Sequence, residues 1–367
     1  MQSFQHLMSA CPQEDLDPNA RYLILSDLHL GDGGPRDDLE PNRELLETTL
    51  EKWYLENGYT LILNGDIEDI NKFELKKIRR AWPRFFAVVS AFAQAGRLRK
   101  IVGNHDLGLI KEKDYPYPLS HGLVLRKGDK RLFLFHGHQA SRFFIKYDYV
   151  SEFIVRYLAK PLRIRNSGIS KDSRKQFATE RRIYRAARKL GIVAISGHTH
   201  RPLFESLSKY DSLRWSLEEL LREYAIADAP RRRQIVNLVG IYRQELERLT
   251  KKDLKRDVSR SLYGTGPLLV PCLFNSGCAT GKTGISALEI ERGNISLVHW
   301  AKAGQSKTYI EREAVLKDTV EGNFSRYTLK TDNLDQVFTR IELLSGQVTP
   351  IGAYRDADED AAAETAI

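Results

Sequence analysis

The sequence predicts an α/β protein whose strands deliver polar residues to one end of a sheet. Three observations carry this. Short apolar runs of β type recur along the chain, separated by segments with helical spacing. Five of those runs stop directly at a small cluster containing Asp, Asn or His. In open α/β sheets the carboxyl ends of strands line the ligand crevice, so loops fixed to rigid strands bring residues distant in sequence to one point.

The elements follow in order. Tyr22 to Ser26 is the first run and ends at Asp27, and Leu45 to Leu55 has helical spacing. Leu61 to Leu63 is a buried strand halted at Asn64-Gly65-Asp66. A helical stretch from about Phe73 to Ala95 is interrupted near Pro83, where the ring removes a backbone donor. Leu98 to Val102 stops at Gly103-Asn104-His105-Asp106. Leu123 to Arg126 and Arg131 to Phe135 flank the turn Lys127-Gly128-Asp129-Lys130, and the second of them ends at His136. Ile192 to Ile195 runs into Gly197-His198-Thr199-His200. Leu268 to Asn275, Ile285 to Ile290 and Ile295 to Trp300 close the series, with a turn at Arg292-Gly293-Asn294.

Two long segments interrupt the scheme. The first, about 140–191, places Phe143, Phe144, Tyr147, Val150, Phe153, Ile154 and Tyr157 at helical spacing. The second, about 206–266, also reads as helical, with breaks near Ala229-Pro230 and Tyr263-Gly264. Asp356 to Thr365 is acidic and rich in small residues, a composition that cannot build a core and is expected to be disordered.

Composition excludes some classes and points toward others. No apolar stretch reaches eighteen residues, so no transmembrane helix is expected. The first twenty residues lack the basic and apolar regions of a signal peptide. Three cysteines, Cys11, Cys272 and Cys278, form no CxxC pattern and suit a reducing compartment, so a cytoplasmic location is expected. The net charge of +9 and pI near 9.3 favour an anionic partner: nucleic acid, a phosphorylated metabolite or an anionic membrane surface. A soluble basic protein without such a partner has the same charge.

Singly, none of the polar clusters is diagnostic, because a Gly-Asp or Gly-Asn after a strand serves many turns. The ordered set is more specific. It reads Asp27-Leu28-His29, Gly65-Asp66, Gly103-Asn104-His105-Asp106, His136-Gly137-His138 and Gly197-His198-Thr199-His200, and it holds six of the nine histidines. In this order the sequence resembles the calcineurin-like metallophosphoesterases, over about 21–200 and the closing strands to about 300, outside the inserts. The resemblance implies a β-sandwich core of two mixed sheets flanked by helices, with helical cap inserts. It organises the chain as an N-terminal extension (1–20), a metallophosphoesterase domain (21–302) with inserts at about 140–191 and 206–266, a C-terminal extension (303–355) and an acidic tail (356–367).

Carried over by position, the resemblance gives one metal Asp27, His29, Asp66 and His200. A second would take Asp66, Asn104, His136 and His198, with Asp66 bridging. Imidazole and carboxylate ligands without thiolate suit Mn²⁺, with Fe or Zn²⁺ as alternatives. The implied reaction is hydrolysis of a phosphate ester or pyrophosphate by in-line attack of a metal-bridging hydroxide. His105 would act beside the leaving oxygen as general acid or charge stabiliser. Asp106 is expected to orient His105, or else to serve as a helix cap or turn residue.

Other residues carry two readings each. His138 is a substrate contact, a ligand alternative or a turn histidine. Arg201 contacts phosphate or plays a structural part near Pro202. Glu68 and Asp69 support the ligands or start a helix, and Asn275-Ser276-Gly277 packs near the site without doing chemistry.

Residues 141–191 hold fourteen Lys and Arg against four acidic residues. Leaving directly from His136-Gly137-His138, this insert is expected to cap the site and attract anionic substrate, rather than form only a solvated face. Its placement is similar to the lid of the UDP-2,3-diacylglucosamine pyrophosphohydrolases of lipid A synthesis, and such a lid would take up lipid chains or sit on a membrane surface. The chain departs from them at His105, where that family has Arg, and at His136-Gly137-His138, where it has HGD. Nuclease and protein phosphatase are alternative activities on this core, and the retromer subunit built on it illustrates a non-catalytic scaffold. Such scaffolds tend to lose site residues, whereas every ligand position is filled here.

Overall fold

The computed structural model describes residues 2–140, 173–207, 209–254, 269–280, 284–304, 310–311, 314–320 and 323–345. The aromatic run at 143–157, the break at Tyr263-Gly264 and the acidic tail lie outside the described residues.

Two mixed sheets face each other. The eight-stranded sheet runs β12 (Leu316–Val320), β13 (Phe324–Asn333), β11 (Asn294–Lys302), β10 (Ile285–Glu291), β2 (Arg21–Leu25), β3 (Thr60–Asn64), β4 (Leu98–Ile101) and β5 (Leu119–Ser120). Its first five strands are antiparallel and its last four, β2 to β5, are parallel. The five-stranded sheet runs β1 (Gln13–Asp15), β6 (Leu123–Lys127), β7 (Lys130–Leu134), β8 (Val193–Ser196) and β9 (Leu273–Asn275), with β7, β8 and β9 parallel.

Strand alternation explains the layers, because successive side chains point to opposite faces. From β2 and β3, Ile24 and Ile62 join Phe133, Val193 and Phe274 in one buried cluster between the sheets. Their neighbours Leu23, Leu25, Leu61 and Leu63 face the other way, onto helices. Those helices are α2 (Arg43–Thr49), which continues as a π-helical turn through Leu50–Leu55, α3 (Leu75–Ala81) and α4 (Pro83–Gln94). Pro83 opens α4 at its first turn, where the missing N–H costs nothing, so the expected interruption is a helix start. Strands buried on both faces read as unbroken apolar runs, which is why they stand out in the sequence.

The ends of the chain contribute more than extensions. Helix α1 (Gln2–Ala10) puts Met8 into the cluster between the sheets, and β1 pairs with β6. Beyond residue 302, β12 and β13 continue the large sheet, and the last helix (Leu334–Leu344, α8) buries Leu334, Val337, Phe338 and Ile341.

The helix Ser173–Leu190 (α5) lies in the segment expected to form the first cap. It packs on the core through Ile183, Tyr184 and Ala187, and residues 141–172 of the same segment lie outside the described residues. The second insert forms a helical hairpin, α6 (Lys209–Ile226) and α7 (Ala229–Leu254), with its own core of Leu213, Leu220, Ile235 and Tyr242. No helix among the described residues is long and apolar enough to cross a membrane.

Candidate metal centre

Every ligand-type residue expected from the sequence follows directly from a strand of one sheet or the other. Asp27 and His29 follow β2, Asp66 follows β3, and Asn104 and His105 follow β4. Across the sandwich, His136 follows β7, and His198 and His200 follow β8. The loops are sewn together by backbone bonds: Asp27 N to Gly65 O at 3.0 Å, His29 N to Asp66 O at 3.0 Å and Gly197 N to His136 O at 2.9 Å.

The backbone there is strained. Asp27, His29, Asp66, His198 and His200 have φ of 54°, 52°, 54°, 68° and 57°. Left-handed backbone is costly for residues with a Cβ and persists only where its surroundings over-determine it. The motif glycines have a related cause. A Cβ on Gly65 would fall 2.5 Å from His136 Nδ1, one on Gly197 would fall 2.5 Å from Asp27 Oδ2, and one on Gly103 would overlap Asp66 Oδ1. Each glycine leaves room for a neighbouring polar side chain.

The polar atoms converge in overlapping sets. Asp27, His29 and His200 form one, Asp66, His136 and His198 a second, and His29, Asp66 and His105 a third, with ligand atoms within 4.8 Å of one another in each. His29 Nε2 lies 3.1 Å from His200 Nε2, His200 Nε2 3.2 Å from Asp27 Oδ1, and His136 Nε2 3.0 Å from Asp66 Oδ2. The Nδ1–H of His136 donates to Asn64 O at 3.0 Å, which leaves the Nε2 lone pair turned toward Asp66 in the neutral ring.

Protonation follows from burial and charge. Burial favours neutral carboxyls, yet the rings of His200 and His136 outweigh it and hold Asp27 down at about 2. Asp66 is likewise held well below the usual range, chiefly by His136. Burial would lower His136, but Asp66 and Asp27 raise it to about 9. His198 is lowered to about 3 by burial and then by the charge of His136. Two fully buried carboxylates thus demand compensating positive charge.

A pair of divalent ions fits this donor set. The buried Nε2 of His198 and the buried Oδ1 of Asn104 have no hydrogen-bond partner. Buried polar atoms are seldom left unpaired, and both belong to the set expected to hold the second ion.

The surroundings revise one expectation. Asp106 does not contact the His105 ring: its carboxylate accepts Ile67 N at 2.8 Å and Gly103 N at 2.6 Å, locking the two loops together. The residue that holds His105 is Asp69, whose Oδ1 accepts from Nδ1 at 2.8 Å. Burial lowers the imidazole, but Asp69 and Asp66 raise it above its ordinary value. His138 is buried beside the rings of His136 and His198, and burial holds it neutral. Arg201 is bonded to the buried carboxylate of Glu180 at 3.1 Å.

Glu68 forms a buried ion pair with Lys100 at 2.5 Å and accepts from Tyr115 Oη at 2.6 Å. Asn275 donates to Gly197 O at 2.8 Å and to Thr199 Oγ1 at 3.1 Å, so it braces the loop without entering the cluster. Two contributors were not singled out from the sequence. Ser26 Oγ donates to Asp27 Oδ2 at 2.5 Å, and Glu180 is fully buried. A signal for Glu180 existed: it is the one acidic residue in the eighteen of α5.

Residues 20–202 match the calcineurin-like phosphoesterase family, and the chain belongs to that family through this segment. Its members depend on a dinuclear metal centre, and the His and Asp groups described above are candidates to hold it. No curated protein matches the sequence. Among solved structures, a point mutant of Vps29 from Entamoeba histolytica is 11% identical, with a TM-score of 0.32 and 85% of this chain and 98% of that chain covered. The phosphoesterase YfcE of E. coli is 14% identical, with a TM-score of 0.32 and coverage of 75% and 91%. Vps29 of Cryptosporidium parvum is 10% identical, with a TM-score of 0.31 and coverage of 79% and 95%.

Proposed function

We propose that this chain is a dinuclear metal-dependent phosphoesterase. Asp27, His29, Asp66 and His200 would hold one divalent ion, and Asp66, Asn104, His136 and His198 the other. The observation that carries the reading is the left-handed backbone at Asp27, His29, Asp66, His198 and His200, five residues of one ligand set. Five of the nine non-glycine residues with positive φ among the described residues fall on this one constellation, and strain gathered in this way is what functional sites store. Nitrogen and oxygen donors without thiolate favour Mn²⁺, with Fe and Zn²⁺ as alternatives.

Bound there, two such ions supply Lewis acidity to a phosphoryl oxygen and a nucleophilic water near neutral pH. The chain's own residues supply the rest. Asp69 fixes the His105 ring through Nδ1, favours its protonated form and leaves Nε2 to give a proton to the leaving oxygen. Asp106 and Ser26 hold the loops on which the ligands stand. The substrate is an anionic phosphorylated compound, in keeping with the net charge of +9.

The test is hydrolysis, with added Mn²⁺, of p-nitrophenyl phosphate, bis-p-nitrophenyl phosphate, single-stranded DNA and a UDP-sugar pyrophosphate, each beside Asp66→Asn. Metal-dependent turnover lost in the variant is expected, and the preferred compound identifies monoester, diester, nucleic acid or pyrophosphate. Mn²⁺ binding with no turnover on any compound would remove the catalytic reading and leave a metal-binding scaffold.

A further inference from the structure

Outside the metal cluster, one buried carboxylate has an arrangement that packing alone does not require. Glu180 is fully buried on α5, and its two oxygens face the loop that carries His198 and His200. Oε1 accepts from Thr199 Oγ1 at 2.7 Å and Oε2 from Arg201 Nη1 at 3.1 Å. Thr199 sits between the two histidines and is gripped from the other side by Asn275 Nδ2 at 3.1 Å. Two residues along α5, Arg182 Nη1 donates to Ala140 O at 2.9 Å, at the end of the helical turn His138–Ala140 that follows His136.

His198 and His200 both have left-handed backbone, at φ of 68° and 57°. Such a pair relaxes unless something fixes the residue between them, and Thr199 is that residue. A buried carboxylate is also an expensive way to fill space, since an apolar side chain of the same volume would pack without desolvation.

We propose that Glu180 is a positioning residue of the metal centre, holding Thr199 so that His198 and His200 present their nitrogens together. Through Glu180 and Arg182, α5 ties the His136 loop to the His198–His200 loop. The helix that returns from the first insert is then part of the scaffold of the site. The inference rests on the metal reading above.

The test uses the full chain and Mn²⁺ alone, with calorimetric affinity as the readout and urea unfolding in chelator as the measure of stability. Glu180→Ala is expected to weaken Mn²⁺ binding about 10- to 100-fold, the range found when partners of metal ligands are removed. Glu180→Gln, whose amide oxygen still accepts from Thr199, should recover most of that affinity. Thr199→Val removes only the hydroxyl and should weaken binding in the same direction, which keeps the test open should Glu180→Ala not fold. Variants that lose stability but bind Mn²⁺ as the wild type does would make Glu180 a packing residue and overturn the inference. A wild-type chain that binds no Mn²⁺ would instead remove the metal reading on which it stands.

Discussion

Gly103→Ala adds one methyl group at a position where the structure fixes its neighbours. The new Cβ would lie 2.5 Å from Asp66 N and 2.8 Å from Asp66 Cγ, and closer still to Oδ1. Asp66 has little freedom to recoil, because Oδ1 accepts His105 N at 2.7 Å and its carbonyl accepts His29 N at 3.0 Å. Ordinary carbon contacts need about 3.5–4.0 Å, so Asp66 or the Gly103 loop must move by about 1 Å. Overpacking of this kind costs about 1–3 kcal/mol. Metal–ligand distances tolerate only about 0.2 Å, so Mn²⁺ affinity should fall at least about tenfold. The control is Gly240→Ala on α7, where a Cβ meets nothing within 4 Å. There the same methyl group should stabilise by about 0.5–1 kcal/mol. Urea unfolding in chelator and calorimetric Mn²⁺ titration measure both effects. Unchanged Mn²⁺ affinity in Gly103→Ala would refute the claim that this glycine exists to make room for a ligand.

Three further outcomes are expected. Asp69→Asn should lower the pKa of His105 measured by NMR in the metal-free chain, whereas Asp106→Asn should leave it in place and cost about 1–3 kcal/mol, because an amide cannot accept from both Ile67 N and Gly103 N. Lys100→Met should destabilise by about 3–5 kcal/mol in urea, since it leaves the carboxylate of Glu68 buried without its cation. Outside the ligand set, burial and the neighbouring Asp332 push Glu205 up to about 7. The folded chain therefore keeps a proton that the unfolded chain releases near the ordinary carboxylate value of about 4.3. Stability from this residue is full below that value and is lost as pH rises to about 7. Thermal scans between pH 4 and pH 8 should show this fall in the wild type and its absence in Glu205→Gln.

The sequence made the strands of the parallel regions legible because burial on both faces leaves unbroken apolar runs, and it made the site legible because five of those runs stop at polar clusters. Other features depend on contacts that no local pattern records. Asp69, and not the adjacent Asp106, holds His105 because the turn after β3 crosses the loop after β4, and that crossing is a matter of tertiary packing. Strand β12, Leu-Lys-Asp-Thr-Val at a sheet edge, is mostly exposed and lacks an apolar run, and β1 has only three polar residues. The core-facing side of α5 is hidden in the sequence for a related reason. Basic residues crowd α5, and Ile183, Tyr184 and Ala187 reveal a core-facing side only once β8 and β9 are in place.

In the proposed centre two ions would share Asp66. Anomalous diffraction at the Mn edge, from crystals of the wild type and of Asp66→Asn soaked in Mn²⁺, tests it most directly. Two peaks about 3.5–4 Å apart are expected in the wild type, flanking the Asp66 carboxylate, with occupancy lost from both in the variant. A single peak, or two peaks that keep full occupancy in Asp66→Asn, would contradict it.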